Sequence, residues 1–234
     1  KLDQDAAVKY APPEQPLPSE SYKLVWSDEF DGNDVDWTKW SKVPPVTNGN
    51  VAEWRRYTST RHDLVSVENG MLVLKGVKND GSDPNETRDY LCGQIWSQGK
   101  ASFTRGIFEI RAKFENQQGA WPALWMLPEK NSWPLTGEID FVERLNSDDF
   151  VHQTVHHGPV VNGSSTSDTS HDNYIDPTGW NTYRVEWTST EIIWYVNGVK
   201  TFTYAPVVKS ENKWPFTTPF YLILSQQLEG NWVG

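Results

Sequence analysis

Short runs in which apolar and polar residues alternate recur along the chain. The clearest run, SFTRGIFEIRAKFE at 102–115, has apolar residues at the even positions from 108 to 114 and charged residues at 109, 111 and 113. Successive side chains of a strand point to opposite faces, so this pattern predicts a strand with one face in a core. No stretch shows a helical period of useful length. The pattern therefore predicts an all-β protein.

Four other stretches have the same strand-like character. They are YKLVWSDEF (22–30), LVSVENGMLVLKGV (64–77), TYRVEWTSTEIIWYVNGVKTFTY (182–204) and FYLILSQQL (220–228). Asn-Gly pairs at 69–70 and 197–198 predict tight hairpin turns. The polar stretch 158–173 predicts a long flexible loop. Many short strands separated by turns favour a sandwich or jelly roll of two packed antiparallel sheets, and curvature would make a groove on one of them.

The stretch GEIDFVE at 137–143 breaks the alternation. Glu138 and Asp140 share one face of a strand, but strict alternation would place Glu143 with the apolar residues. A charged side chain on a core face is costly without a partner. One extra residue, a β-bulge at Phe141-Val142, would return Glu143 to the acidic face.

Three acids on one face suggest acid–base chemistry. Two carboxylates that flank a glycosidic bond cleave it, and enzymes that retain anomeric configuration place them about 5–5.5 Å apart. Like charges this close do not all ionise readily, so the pKa of one carboxyl should rise, as a general acid requires. The alternatives are a solvated strand face and a cation site, with calcium as the main candidate.

The segments on either side of the acids carry aromatic and histidine side chains. GAWPALWML at 119–127 would bring Trp121 and Trp125 beside the acids. VHQTVHHG at 151–158 alternates so that His152, Thr154 and His156 share one face of a strand. The next residue, His157, points to the opposite face. This argues against a three-histidine zinc site. A hydrogen bond from His156 to the carboxylates or to a sugar hydroxyl is the favoured role.

The composition changes this picture in one respect, which is the aromatic content. The chain has 13 Trp, 9 Tyr and 9 Phe in 234 residues. A large β core accounts for some of these rings. The remainder favours a groove whose flat aromatic faces pack on sugar rings.

Charge excludes some partners. Lys and Arg number 21 against 31 Asp and Glu, a formal net charge of -10. Such a chain is a poor partner for nucleic acid or for a heavily sulfated polymer unless it has a basic patch. The longest basic signal is Arg55-Arg56, which we expect on a solvated strand face. Cys92 is the only cysteine, so no internal disulfide is possible. The sequence has no apolar run of transmembrane length, so we expect no membrane insertion.

The domain organisation is simple. Residues 1–21 are polar and proline-rich and predict a flexible tether, ahead of one catalytic domain over 22–234. We expect a monomer that is secreted, periplasmic or tethered at the cell surface.

Together these motifs resemble glycoside hydrolase family 16, which includes laminarinases, lichenases, agarases, carrageenases and endo-β-galactosidases. The matching stretches are LVWSDEFDG (24–32), GAWPALWMLP (119–128), GEIDFVE (137–143), TVHHG (154–158) and EGNW (229–232). The six-residue form E-I-D-x-x-E is similar to the bulged version of laminarinases, agarases and carrageenases. The resemblance implies a β-jelly-roll sandwich of two curved antiparallel sheets with a concave substrate cleft.

The resemblance also implies roles for individual residues. Glu138 is the expected nucleophile, Glu143 the general acid/base and Asp140 the residue that modulates their protonation. The expected substrate-binding residues are Trp54, Trp121, Trp125, Trp133, His156 and Gln227. Catalysis is expected to need no cofactor. Many family members hold a structural calcium, and Glu29 with the carbonyl of Gly70 matches part of that site.

Two departures from the family pattern bear on these expectations. The chain reaches Gly234 without a closing strand of the V-D-x-V-R-V type, so either the whole protein continues beyond Gly234 or one sheet lacks its final strand. SQQLEGNW at 225–232 stands where laminarinases often have N-L-A-V-G-G-N-W. These larger, polar residues would change the floor of the cleft, which argues against laminarin as the substrate. The expected targets are β-1,4-galactosidic bonds of poly-N-acetyllactosamine, mucin O-glycans, keratan or galactan. The alternatives are an endo-β-1,3-glucanase, a transglycosylase and a non-catalytic carbohydrate-binding module.

Overall fold

The computed structural model describes residues 22–46, 49–158 and 169–234, so the predicted tether at 1–21 lies outside the described residues. These ranges contain sixteen strands and two short 3-10 helices. The strands are Ser41–Lys42 (β1), Val65–Glu68 (β2), Met71–Leu74 (β3), Gly76–Lys78 (β4), Tyr90–Cys92 (β5), Gln94–Trp96 (β6), Ser102–Phe103 (β7), Gly106–Ala112 (β8), Ala120–Pro128 (β9), Glu138–Glu143 (β10), Phe150–His156 (β11), Ser170–Tyr174 (β12), Asn181–Trp187 (β13), Ile192–Val196 (β14), Val199–Tyr204 (β15) and Phe220–Leu228 (β16). The helices are Glu53–Arg55 and His62–Leu64. Neither helix of the described chain has the length or apolarity needed to cross a membrane.

Two antiparallel sheets form the sandwich. The larger has the strand order β1-β6-β16-β9-β10-β11-β12, with β7 also paired to β16, and the smaller has the order β15-β14-β13-β8. Two further pairs, β2–β3 and β4–β5, complete the described strands. The prediction of an all-β jelly-roll sandwich is confirmed.

The core lies between the two sheets. Its buried side chains come from the inner faces of β9, β10, β11 and β16 on one side and of β13, β14 and β15 on the other. The even-numbered apolar residues of β8 pack against the same core, as their alternation predicts. Burial of this apolar surface is the main stabilising contribution to the fold.

Both Asn-Gly hairpins are confirmed. Asn69 and Gly70 have φ angles of 53° and 73° and connect β2 to β3, and Asn197 and Gly198 have φ angles of 49° and 78° and connect β14 to β15. Positive φ at both central residues matches the twist of the flanking strands and is tolerated best by Asn and Gly.

The prediction of a strand at 22–30 is wrong, because this segment makes no strand pairing within the described chain. Local side-chain bonds hold it instead. The carboxylate of Asp28 accepts hydrogen bonds from the backbone N–H of Phe30 at 3.0 Å and from Nε1 of Trp40 at 2.8 Å. Short polar side chains that bond nearby backbone compete with ladder formation.

Two other boundaries differ from the sequence predictions. Arg105 and Gly106 have φ angles of 67° and 129°, which separate β7 from β8 within the run predicted at 102–115. Of the loop predicted at 158–173, residues 159–168 lie outside the described residues. For residues 170–173 the prediction is wrong, because they belong to β12 and pair with β11. A polar segment forms a strand here because the edge of β11 supplies its backbone partners.

Candidate active site

Strand β10, which carries the acids, contains the β-bulge that the alternation of its side chains predicts. Across the β10–β11 pair, Asp140 is opposite Thr154 and Glu143 is opposite His152, so three steps on β10 match two steps on β11. The pairing with β9 shifts between Asp140 and Val142. The two residues between the acids, Phe141 and Val142, are both fully buried in the core. The bulge therefore returns Glu143 to the face that holds Glu138 and Asp140.

Two side chains from other elements satisfy the backbone at the bulge. Trp194, on β14 of the opposite sheet, donates its indole N–H to the carbonyl oxygen of Asp140 at 2.7 Å. Gln153, which is fully buried, donates its amide to the carbonyl oxygen of Phe141 at 3.2 Å. The carbonyl of Gln153 in turn accepts hydrogen bonds from Asn173 at 2.7 Å and Thr201 at 2.6 Å. This network holds the bulged strand against the core.

The three carboxyl groups and one imidazole form a compact cluster. His156 Nε2 lies 3.2 Å from Oδ2 of Asp140 and 3.8 Å from Oε1 of Glu138. The first contact is close but poorly aligned, since Asp140 Oδ2 has no hydrogen bond of good geometry. Trp121 Nε1 donates a hydrogen bond of 3.0 Å to Oε1 of Glu143. Asp140 is 1% exposed, so the centre of the cluster is shielded from solvent.

Burial dominates the electrostatics of the cluster. It raises the pKa of Glu138 well above its ordinary value, and the Asp140 carboxylate raises it further. Burial and the charge of Glu143 likewise raise the pKa of Asp140 well above its ordinary value. The pKa of Glu143 is raised by burial, and His156 and the Trp121 hydrogen bond oppose that rise. A proton is therefore retained within the cluster, as the crowding of the acids predicts.

An aromatic wall adjoins the Glu143 end of the cluster. Trp232 makes an edge contact with the ring of Trp121, with centroids 5.4 Å apart, and lies 5.0 Å from the ring of His152. Trp232 is 45% exposed, so its ring is available to a ligand. The nitrogen Nδ1 of His152 lies 2.6 Å from the carboxylate of Asp172 on the neighbouring strand β12.

A second aromatic group covers the same face of the sheet on the other side of the acids. Trp125 is opposite Asp140 in the β9–β10 pairing, and its Nε1 donates to Ser225 at 3.1 Å. Trp54 packs edge-on against Trp125 with centroids 4.7 Å apart. Trp96 and Tyr221 continue the group, with centroids 5.8 Å apart. We call Trp54, Trp96, Trp125 and Tyr221 the aromatic floor.

The short helix Glu53–Arg55 is bound to this floor by two buried amides. Gln94 on β6 donates to the carbonyl of Trp54 at 2.9 Å, and Gln227 on β16 donates to the carbonyl of Glu53. Gln227 is 1% exposed, so its amide is committed to the helix. The expectation that Arg55-Arg56 lies on a solvated strand face is wrong, because Arg55 belongs to this helix and packs on the rings of Trp54 and Trp96.

Trp133 lies on the loop between β9 and β10. Its ring centroid is 5.9 Å from that of His156, and the side chain is 47% exposed. The expected substrate-binding residues other than Gln227 therefore lie around the acid cluster or on the aromatic floor, whereas Gln227 is buried against the short helix. Their contact with a substrate remains a prediction.

Metal binding was the alternative interpretation of the acids. In the part of the chain that the structure describes, one group of three potential ligands occurs, formed by Glu138, Asp140 and His156 with ligand atoms within 4.8 Å of one another. Calcium takes six to eight oxygen ligands, which three such side chains do not supply. Glu29, proposed for a structural calcium with Gly70, belongs to no such group of described residues. The calcium site stays a prediction.

Several site residues are missing from the sequence predictions. Trp194 is 54 residues from Asp140 in the chain. Gln153 lies on the strand that follows the acids, but its interior-facing position makes it look like an ordinary core residue. Trp232 lies within the stretch EGNW, whose match to the family pattern was a usable signal. Trp96 and Tyr221 are identified as floor residues only by the order of the strands.

A β-jelly-roll sandwich with a buried carboxylate cluster on an aromatic sheet face defines a class of carbohydrate-active proteins. Comparison with known proteins specifies the family. The model of glycosyl hydrolases family 16 matches residues 53–233. The chain therefore belongs to glycosyl hydrolases family 16, as the resemblance implied.

Relatives and solved structures agree with this assignment. A keratan-sulfate endo-1,4-beta-galactosidase from Sphingobacterium multivorum is 37% identical over 219 residues, which cover 91% of this chain and 50% of that protein. A beta-glucanase from Rhodothermus marinus is 33% identical over 232 residues, 91% of this chain and 78% of that protein. The laminarinase catalytic domain from Thermotoga maritima MSB8 superposes with a TM-score of 0.81 at 31% identity, over 92% of this chain and 90% of that one. The chain thus spans half the length of the first of these relatives.

Proposed function

We propose that this chain is an endo-acting β-glycoside hydrolase that retains anomeric configuration, with Glu138 as nucleophile and Glu143 as general acid/base. One observation supports this above the others. The bulge in β10 puts both glutamates on the same face with Asp140 between them, beside an aromatic surface. Binding alone requires no such group of buried carboxyls, which argues against a non-catalytic module.

The protonation of the cluster suits this chemistry. Burial raises the pKa of both Glu138 and Asp140 well above their ordinary values, and the interaction between the two carboxyls raises the pKa of Glu138 and lowers that of Asp140. We propose that Glu138 holds the proton that the two share before substrate binds. Transfer of that proton to Asp140 leaves Glu138 as a carboxylate. Asp140 then donates the hydrogen bond and stabilises the charged nucleophile. Glu143, with its pKa raised by burial, holds the second proton.

Two steps complete the reaction. In the first, a carboxylate oxygen of Glu138 bonds to the anomeric carbon, the bond from that carbon to the leaving oxygen breaks, and Glu143 protonates the leaving oxygen. In the second, Glu143 takes a proton from water, the water oxygen bonds to the anomeric carbon, and the bond to Glu138 breaks. Two inversions give net retention.

Azide distinguishes the two glutamates. In Glu138→Ala, azide occupies the space of the nucleophile, and an aryl β-glycoside substrate should give the α-glycosyl azide. In Glu143→Ala, the glycosyl-enzyme still forms from an activated substrate, and azide should give the β-glycosyl azide. NMR of the products assigns both roles. If the two outcomes are exchanged, the assignment of the two glutamates is reversed. If azide rescues neither variant, the mechanism is contradicted.

For the substrate we favour β-1,4-galactosidic bonds in poly-N-acetyllactosamine, mucin O-glycans, keratan or galactan. The similarity to a keratan-sulfate endo-1,4-beta-galactosidase supports this choice. Gln227 adds no support, because it is buried and its amide donates to the short helix. An endo-β-1,3-glucanase is the second candidate, supported by the similarity to a beta-glucanase and to a laminarinase domain.

A digest panel decides between them. Keratan, mucin glycans, agarose, laminarin and mixed-linkage glucan are incubated with the wild type and with Glu138→Gln, and the products are analysed by mass spectrometry. Internal fragments from keratan or mucin that are absent with the variant support the galactosidase. Glucose oligomers from laminarin alone support the glucanase. Products longer than a starting oligosaccharide indicate transglycosylation, and no product from any substrate favours a binding module.

A further inference from the structure

Arg55 is a cation without an acidic partner on the aromatic floor. Its guanidinium carbon lies 5.5 Å from the ring centroid of Trp54 and 5.6 Å from that of Trp96. Nη2 donates to the carbonyl of Pro44, whereas Nε is buried and has no hydrogen-bond partner among the described residues. No ion pair joins Arg55 to a carboxylate in the described ranges, although its neighbour Arg56 pairs with Glu53 at 3.8 Å.

This arrangement is unfavourable in the absence of a ligand. Burial lowers the pKa of Arg55, which reports that its charge is partly removed from water. A desolvated charge costs free energy unless a counter-charge or hydrogen bonds offset that loss. The chain has a formal net charge of -10, so acidic partners were available in its composition. The floor nevertheless places this guanidinium near two indole rings, and its Nε has no hydrogen-bond partner among the described residues.

The guanidinium is held in place by its surroundings. Gln94 and Gln227 bind the carbonyls of the helix that carries it, as described above. Cation–π contacts with the rings of Trp54 and Trp96 restrict the group further. A planar guanidinium that is fixed in advance loses little conformational entropy when it binds a planar or tetrahedral oxyanion.

The distance from the acids also suits an anionic ligand. Asp140, Trp125, Ile223 and Trp96 occupy one row across β10, β9, β16 and β6. Three strand spacings of about 4.8 Å separate the ends of that row by about 14 Å. This exceeds the Debye length of about 8 Å at physiological ionic strength, so the acids repel an anion at Trp96 only weakly. A polymer that crosses the strands would reach Arg55 a few sugar units from the bond that is cleaved.

We propose that Arg55, with Trp54 and Trp96, forms an anion subsite that binds a negatively charged substituent of the glycan, a sulfate ester or a carboxylate, at a sugar remote from the cleaved bond. This inference rests on the proposed function, and it narrows the substrate class to glycans with sparse anionic groups. One subsite of this kind is compatible with the acidic character of the rest of the chain.

Isothermal titration calorimetry on the hydrolysis-deficient Glu138→Gln variant tests the subsite without relying on turnover. The ligands are a sulfated keratan oligosaccharide, its chemically desulfated counterpart and a sialic acid-bearing poly-N-acetyllactosamine of equal length. The sulfated or the sialylated ligand should bind about 10- to 100-fold more tightly than the neutral one, because hydrogen bonds to charged groups contribute about 1.5–3 kcal/mol. Which of the two binds more tightly identifies the source of the anion.

The preference for the anionic ligand should vanish when Arg55→Gln is added. Arg56→Gln, which removes the same charge from an exposed neighbour, should leave the preference unchanged. Equal affinity for all three ligands in the parent, or a preference that persists without the Arg55 guanidinium, would overturn the subsite. Thermal unfolding of each variant checks that the fold is kept. Hydrolysis by the wild-type chain is measured separately, so a binding preference without turnover would count against the proposed function alone.

Discussion

The indole N–H of Trp194 donates a 2.7 Å hydrogen bond to the carbonyl oxygen of Asp140, across the interface between the two sheets. The bond links the core of the smaller sheet directly to the strand that carries the acids. A bulge leaves backbone groups without ladder partners, and a buried carbonyl without a partner destabilises the structure. This contact therefore couples the packing of the core to the placement of Glu138 and Glu143.

Trp194→Phe should lower both stability and activity. The change leaves the Asp140 carbonyl unsatisfied, which costs about 1–3 kcal/mol in free energy of unfolding. We expect kcat/KM to fall about 10-fold or more, because the acids lose a support of their strand. Trp187→Phe is the matched control, since the indole nitrogen of that buried residue has no hydrogen-bond partner in the described ranges. Equal losses of activity in the two variants would contradict a specific role for Trp194.

Gln153→Leu should also weaken the bulge. It removes the donor to the Phe141 carbonyl and the acceptor used by Thr201. We expect a lower melting temperature, at about 2–4 °C for each kcal/mol lost, together with a lower kcat. Thr201→Val removes one bond to Gln153 but leaves the bulge carbonyl satisfied. If this control loses as much kcat as Gln153→Leu, the Phe141 carbonyl is not the important contact.

Trp121→Phe should shift the pH dependence of activity to higher pH. The indole N–H stabilises the charged form of Glu143 and so lowers its pKa. Loss of that bond raises the pKa, so the general acid stays protonated to higher pH and the alkaline limb of kcat/KM moves upward. Trp125→Phe is the control, because its indole bonds Ser225 instead of a catalytic carboxylate. An unchanged limb, or one that moves to lower pH, would contradict this assignment.

Glu138→Gln should stabilise the fold at neutral pH while it lowers kcat by at least about 10³-fold. The pKa of Glu138 is raised in the folded state, so the folded state binds a proton more tightly than the unfolded state does. Its ionisation therefore lowers stability as the pH rises above the ordinary glutamate pKa of about 4.3. The variant should gain melting temperature at pH 7 and lose that gain below about pH 4.

Calorimetric scans across this pH range make the measurement. Glu109→Gln, which changes an exposed carboxylate on β8, provides the comparison and should show no such pH-dependent gain. A stability gain for Glu138→Gln that is the same at acid and neutral pH would indicate a packing effect instead of a titration effect.

The sequence by itself determined the features that depend on neighbouring residues. Period-two alternation and apolar runs identified most of the long strands, and the Asn-Gly pairs located two hairpins. The sequence also predicted the β-bulge, because regular alternation would place Glu138 and Glu143 on opposite faces and bury the charge of Glu143 in the core. These predictions succeed because side-chain direction along a strand is a local property.

The tertiary structure decided what depends on which strands become neighbours. Residues 22–30 have a strand pattern but no strand partner, whereas the polar residues 170–173 become a strand because β11 pairs with them. Arg55 looks solvent-exposed in the sequence until Gln94 and Gln227 bind its helix to the aromatic floor. Trp194 and Asp140 are 54 residues apart. Contacts of this kind come from strand order and register, which local patterns do not encode, because the partner's identity is a property of the whole fold.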